Sequence, residues 1–155
     1  PVRPRRWRRA AAAGLAAAAC LVTAASVGVA ISERQRVERT EAAYREVASV
    51  LSAPDARSAT GRAPGGGTVT IVASASRGRV VVASSGLRTL PSSKAYQLWL
   101  IDAGGPRSAG LLPDDRSRPV VAGTWRPSDR LGVTVEPAGG SVRPTTTPLV
   151  LLSPA

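Results

Sequence analysis

The chain has 155 residues, a formal net charge of +11, one cysteine and no histidine. That composition leaves no intrachain disulfide, no Ser-His or Cys-His catalytic pair and no His or Cys metal cluster, and no cofactor is expected. Much of the positive charge sits in the amino-terminal tail, and the other arginines are scattered with few aromatics for base stacking, so nucleic acid is not an expected partner.

The sequence begins at Pro1 rather than methionine, so an upstream segment is expected. Arg3, Arg5, Arg6, Arg8 and Arg9 then precede the uncharged residues 10–32, after which Glu33, Arg34 and Arg36 restore a mixed polar pattern. At a rise of about 1.5 Å per residue such a run crosses the roughly 30 Å hydrocarbon layer once as a helix. The excess of arginine on one side, Arg5, Arg6, Arg8 and Arg9 above all, places the amino end in the cytoplasm, where it also attracts anionic lipid headgroups. The chain is therefore expected to be a single-pass cell-membrane protein with its carboxy-terminal part outside. A cleaved signal peptide would have a shorter apolar core of about 7–15 residues, and Cys20 stands in a poor lipidation context. Gly14, Thr23, Ser26 and Gly28 lower helix propensity inside the run, or serve as close-packing surfaces.

Residues 33–52 read as a stalk helix. Val37, Thr40, Tyr44, Val47 and Leu51 alternate at spacings of three and four, which puts them on one stripe, and Glu41 and Arg45 lie one turn apart as a supporting pair. The stripe is expected to pack on the adjoining domain; two heptads are too few to establish a coiled coil, so dimerisation stays a hypothesis. Residues 53–67, with Pro54, Pro64 and three consecutive glycines, read as a flexible linker open to proteases.

From residue 68 the period shortens to two. Residues 68–74, 79–84, 95–101, 118–124, 131–136 and 149–152 are short runs of Val, Ile, Leu and Thr between Gly, Pro and Ser clusters, the pattern of strands. Several such strands without helices between them predict a mainly β domain over residues 68–155, an antiparallel β-sandwich of Ig-like or open-barrel type. Val80, Val82, Tyr96, Leu98, Leu100, Val133 and Val135 are the expected core, with Trp99 and Trp125 partly buried at its edges. Tyr96 and Trp99, three apart, point to opposite faces, so one of them should be the more exposed.

Candidate chemistry is sparse, and the chain is not expected to be an enzyme. Lys94, the only lysine, stands beside Ser92 and Ser93 on a turn with no sign of the burial that would make it a base. Asp114 and Asp115 read as a solvated loop. Glu136 is expected to accept hydrogen bonds from the Gly139 and Gly140 turn amides or to pair with Arg143. Thr145, Thr146, Thr147 and Pro148 read as an extended lead into the last strand.

The block Ala95-Tyr96-Gln97-Leu98-Trp99-Leu100-Ile101, then Ser108-Ala109-Gly110-Leu111-Leu112, then Val133-Thr134-Val135-Glu136-Pro137-Ala138-Gly139-Gly140-Ser141 with Pro144-Thr145-Thr146, resembles the carboxy-terminal domain of anti-sigma-K factors (RskA). The resemblance covers roughly the last ninety residues, with Tyr96, Leu98, Trp99, Gly110, Thr134, Glu136, Pro137, Gly139, Gly140, Ser141, Pro144 and Thr145 as its motif positions. It implies a membrane-tethered negative regulator of transcription. A cytosolic domain holds an extracytoplasmic-function sigma factor, an outer domain receives a signal, and a site-1 protease followed by an intramembrane protease frees the sigma factor. The first cut is expected in residues 52–67 and the second in 10–32. The sigma-binding amino-terminal domain of the family pattern is absent from these residues, so the sigma factor is expected to bind through a missing segment. A plain exported or tethered β-sandwich binding module without a transcriptional role is the alternative.

Overall fold

A computed structural model describes residues 35–113 and 118–154. The chain divides into two units, Pro1–Ala42 and Ala43–Ala155. In the first, residues 35–42 are helical. In the second, the helix continues to residue 51 (α1, residues 35–51) and the strands follow. Among the described residues no helix is long and apolar enough to cross a membrane. The expected crossing at 10–32, the arginines at 5, 6, 8 and 9, and Asp114 and Asp115 lie outside the described residues.

The strands are β1 (Arg57–Arg62), β2 (Thr68–Ser74), β3 (Arg79–Ser85), β4 (Lys94–Asp102), β5 (Gly105–Leu111), β6 (Val120–Ala122), β7 (Arg130–Pro137) and β8 (Val150–Leu152). They form two antiparallel four-stranded sheets, ordered β1-β2-β3-β6 and β5-β4-β7-β8. One core draws on both sheets. Val69, Ile71, Val80 and Val82 from the first meet Tyr96, Leu98, Leu100, Leu131 and Val133 from the second. Period-two alternation puts these side chains on one face of each strand, and full burial of each large aliphatic contributes about 1.5–3 kcal/mol.

Several expectations need correction. Residues 53–67, read as a flexible linker, contain β1, which pairs with β2 from Arg57↔Ala73 to Arg62↔Thr68. Its Arg-Ser-Ala-Thr-Gly-Arg composition hides the period, because the inward positions are only Ala59 and Gly61. A Cβ at Gly61 would stand 2.8 Å from Leu152 Cδ2 and 3.4 Å from Val150 Cγ1, so glycine lets this edge approach β8. β5 was missed for a related reason, its glycines and proline reading as a turn. Within the second unit the stripe on α1 does not pack as expected: Tyr44 and Leu51 are exposed, whereas Val50 and Ala53 are buried. Glu46 instead meets Arg79 of β3 at 2.9 Å. Trp125 is buried rather than at a half-open edge.

Beyond α1, Asp55 ties the chain to the β2–β3 turn. The Ser74 and Ser76 hydroxyls donate to its Oδ1 at 2.8 and 2.7 Å, and the Ser76 amide donates to Oδ2 at 2.7 Å. These bonds, the Ser76 amide first, hold the Asp55 carboxyl well below the usual carboxylate range.

Candidate functional site

The outward face of the second sheet carries an unusual set of side chains. Alternation sends Tyr96, Leu98 and Leu100 of β4 to the core and Gln97 and Trp99 to the other side, and it does the same for Thr134 and Glu136 of β7. The register pairs Gln97 with Thr134 and Trp99 with Gly132, which brings the polar groups into neighbouring positions. Yet Trp99 is only 1% exposed, and Thr134 and Glu136 not at all. Tyr96 and Trp99 do point to opposite faces, as expected, but both are buried, so the outward position does not leave Trp99 the more exposed of the two.

Residues 138–149 supply the cover. They leave β7 at the turn closed by Gly140 N–H to Pro137 O at 2.7 Å and return to the sheet through Leu149 N–H to Val133 O, also 2.7 Å. Gly140 has φ +78, and a Cβ there would come within 3.1 Å of Gln97 Oε1, so the turn needs glycine. The segment forms a strap.

Glu136 fastens it. The Thr145 amide donates to Oε1 at 2.9 Å, the Thr145 hydroxyl donates to Oε2, and the Ser141 hydroxyl donates to Oε2 at 2.8 Å. From beneath, Thr134 Oγ1 donates to Oε1 at 2.7 Å and itself accepts Trp99 Nε1–H at 2.8 Å. Thr134 has one hydroxyl proton, so this chain runs in one direction, from indole to hydroxyl to carboxylate. Burial pushes the Glu136 carboxyl up, but the bonds from Thr145, Thr134 and Ser141 outweigh it and hold the group down at about 2, against an ordinary 4.5. Glu136 stays ionised at neutral pH. Its partners are hydroxyls and one amide of the strap and strand, not the Gly139 and Gly140 amides or Arg143 that the sequence pointed to.

Gln97 makes a second fastening. Its Nε2 donates to Ser141 O at 2.9 Å and to Ser108 Oγ at 2.8 Å, while Ser141 N–H donates to its Oε1 at 2.7 Å. Ser108 reaches this point because β5 carries a bulge opposite Leu98 and Trp99, where Gly110 adopts φ +109. Thr146 grips the adjacent backbone: its Oγ1 donates to Val135 O at 3.1 Å and accepts Val135 N–H at 3.2 Å. Thr145 and Thr146 are thus anchors, not a plain extended lead-in.

Of the motif positions, Trp99, Thr134, Glu136, Ser141 and Thr145 come together in this one network. Gly140 shapes its turn, Gly110 forms the bulge, and Pro137 closes β7 opposite Lys94. Tyr96 and Leu98 belong to the core, with the Tyr96 hydroxyl donating to Arg88 O at 2.9 Å. Gly139 and Pro144 make no polar contribution. Sequence reasoning missed Gln97, Ser108 and Thr146, although the polar-at-every-second-place pattern Gln97, Trp99 and Thr134, Glu136 marks an outward face. It also missed Asp129, which is buried and accepts from Arg107 at 2.7 Å and from the Arg126 amide at 2.8 Å. Lys94 is exposed, and among the described residues no cluster of three or more Asp, Glu, His or Cys could hold a metal ion. Nothing in the network pairs a nucleophile with an open cleft; its chemistry is that of a fastening.

Comparison with known proteins places this arrangement in a family. The family model described as "Anti-sigma-K factor rskA, C-terminal" matches residues 11–149. A protein of Streptomyces griseus described as "Uncharacterized protein in phr 5'region" is 41% identical over 149 residues, 89% of this chain and 62% of its own length. Anti-sigma-K factor RskA of Mycobacterium sp. (strain KMS) is 38% identical over 143 residues, covering 90% of this chain and 56% of that protein. Anti-sigma-K factor RskA of Mycobacterium tuberculosis (strain ATCC 25177 / H37Ra) is 36% identical over 154 residues, 97% of this chain and 63% of that protein. The chain thus spans less than two thirds of the length of these curated relatives. No solved structure matches it. The chain belongs to the anti-sigma-K factor RskA family.

Proposed function

We propose that this chain is the membrane-anchored, signal-receiving half of an anti-sigma factor that restrains an extracytoplasmic-function sigma factor. The observation that carries this reading is the family match across residues 11–149, together with relatives named anti-sigma-K factor over nine tenths of the chain. Residues 10–32 are the single membrane crossing, with the arginine tail in the cytoplasm and the two sheets, packed as a sandwich, outside. The sigma factor binds a cytosolic segment that these residues do not include, and it is freed by successive cuts outside and inside the membrane. The chain acts as a regulator, not an enzyme.

Within this reading the carboxylate latch has a definite task. It ties the motif residues Trp99, Thr134, Glu136, Ser141 and Thr145 into one fastening and keeps the outer face of the second sheet closed. Gly14, Thr23, Ser26 and Gly28 weaken the crossing helix for the second cut; replacing Ser26 and Gly28 with leucine should slow that cut.

The test uses the full-length gene product and the same product ending at Ser52. Both should co-purify with the sigma factor, and only the full-length form should respond to envelope stress in a sigma-dependent reporter. Loss of sigma binding in the shortened form, or sigma-independent behaviour of both, would favour an exported binding module instead.

A further inference from the structure

The join between α1 and the sheets is more tightly closed than any linker needs. β1 is an edge strand, held on one side only, by β2. Three devices bind it down. Asp55, just before it, takes the Ser74 and Ser76 hydroxyls and the Ser76 amide; the ladder to β2 runs its whole length; and Gly61 lets its far end close on Val150 and Leu152 of β8. The Thr60 and Thr70 hydroxyls add a cross-strand hydrogen bond of 2.9 Å. A protease binds its substrate as an extended single strand, so a peptide bond already paired in a sheet is not a substrate until the strand detaches.

From this geometry we infer that β1 is a releasable gate strand, with Asp55 as its catch, which controls proteolytic access to residues 57–62. The chain enters β1 from α1 at Arg57, so tension on the stalk loads the ladder from that end. Asp55 lies at that end and bears the load first. Release also uncovers the β8 side chains against which Gly61 packs, which makes opening a discrete event instead of gradual fraying. The inference rests on the proposed function in one respect, that cleavage outside the membrane is the signal being gated.

Arg57 and Arg62 make the gate directly readable with trypsin, because the bond after Arg57 lies within β1 and the bond after Arg62 leaves its far end, where the Ala63 amide still donates to Gly67 O at 3.0 Å. On the purified full chain, initial cleavage rates after Arg57 and Arg62 are compared with those after Arg107 and Arg130 in the second sheet. Asp55→Ala removes three hydrogen bonds to a solvent-screened carboxylate and should raise the first pair on the order of tenfold or more, leaving the second pair unchanged. Should that variant fail to fold, Ser76→Ala removes one hydroxyl donor and keeps the amide, and its smaller rise should be confined to the same two bonds. Unchanged rates at Arg57 and Arg62, or an equal rise at all four sites, would overturn the gate. Neither result depends on sigma binding, so failure of the gate and failure of the anti-sigma reading are separable.

Discussion

Replacing Glu136 with alanine removes the centre of the latch. Four donors lose their acceptor at once: the Thr134, Ser141 and Thr145 hydroxyls and the Thr145 amide. A hydrogen bond to a charged group contributes about 1.5–3 kcal/mol, but the two strap hydroxyls can turn to water once the strap loosens, so the costs do not add in full. The buried Thr134 hydroxyl, still receiving the Trp99 indole, is the group least able to find water. A net loss of about 3–5 kcal/mol follows, a large share of the roughly 5–15 kcal/mol that stabilises an ordinary domain. For a unit of about 110 residues, at roughly 4 °C per kcal/mol, the midpoint should fall by about 12–20 °C. Thermal unfolding followed by circular dichroism measures this, and amide exchange at Thr145 should accelerate well below the transition. A midpoint within about 2 °C of the parent would refute the assignment of the strap's stability to this carboxylate.

Other perturbations probe the same structure. Because the folded Glu136 has its pKa lowered to about 2 from 4.5, its stabilisation is fully present above pH 4.5 and is lost as pH falls towards 2; urea titrations should show the parent losing more stability across that window than Glu136→Gln. Asp55 is shifted in the same direction, so part of the acid dependence should survive in that variant. Trp99→Phe keeps an aromatic ring but withdraws the donor to Thr134 and leaves part of the indole's space unfilled, and should cost about 2–3 kcal/mol in equilibrium unfolding. Gly140→Ala forces a side chain into φ +78 and against Gln97, and should cost about 1–2 kcal/mol by the same assay. Asp129→Ala takes the acceptor from Arg107 and the Arg126 amide, and should cost about 2–3 kcal/mol without affecting amide exchange at Thr145.

The sequence made the central strands legible because Val, Ile and Leu alternate there: β2 was expected at 68–74 and lies at Thr68–Ser74, and β4 and β7 extend their expected spans by one residue at each end. Of the four edge strands, the apolar β6 and β8 fell inside expected spans, and β1 and β5 did not. β1 and β5 carry Gly, Ser, Ala and Arg where an edge needs little apolar surface, so their periodicity carried no hydrophobic signal. Trp99 was correctly turned away from Tyr96, but Glu136 on the same face is closed in by a strap that bonds through hydroxyls and an amide. Nothing in local pattern distinguishes Ser141 and Thr145 bonded to Glu136 from the same residues facing water. The motif likeness singled out these positions where physical reading of the residues had assigned Glu136 to the wrong partners.

The central claim, that this outer half regulates through a latched domain and does not itself hold the sigma factor, is tested most directly by sigma-dependent reporter output from the full-length product carrying Glu136→Ala. The account expects reporter output to rise without the envelope signal while the sigma factor still co-purifies with the intact product. Output indistinguishable from the parent despite a lowered melting midpoint, or loss of sigma binding on this substitution, would contradict it.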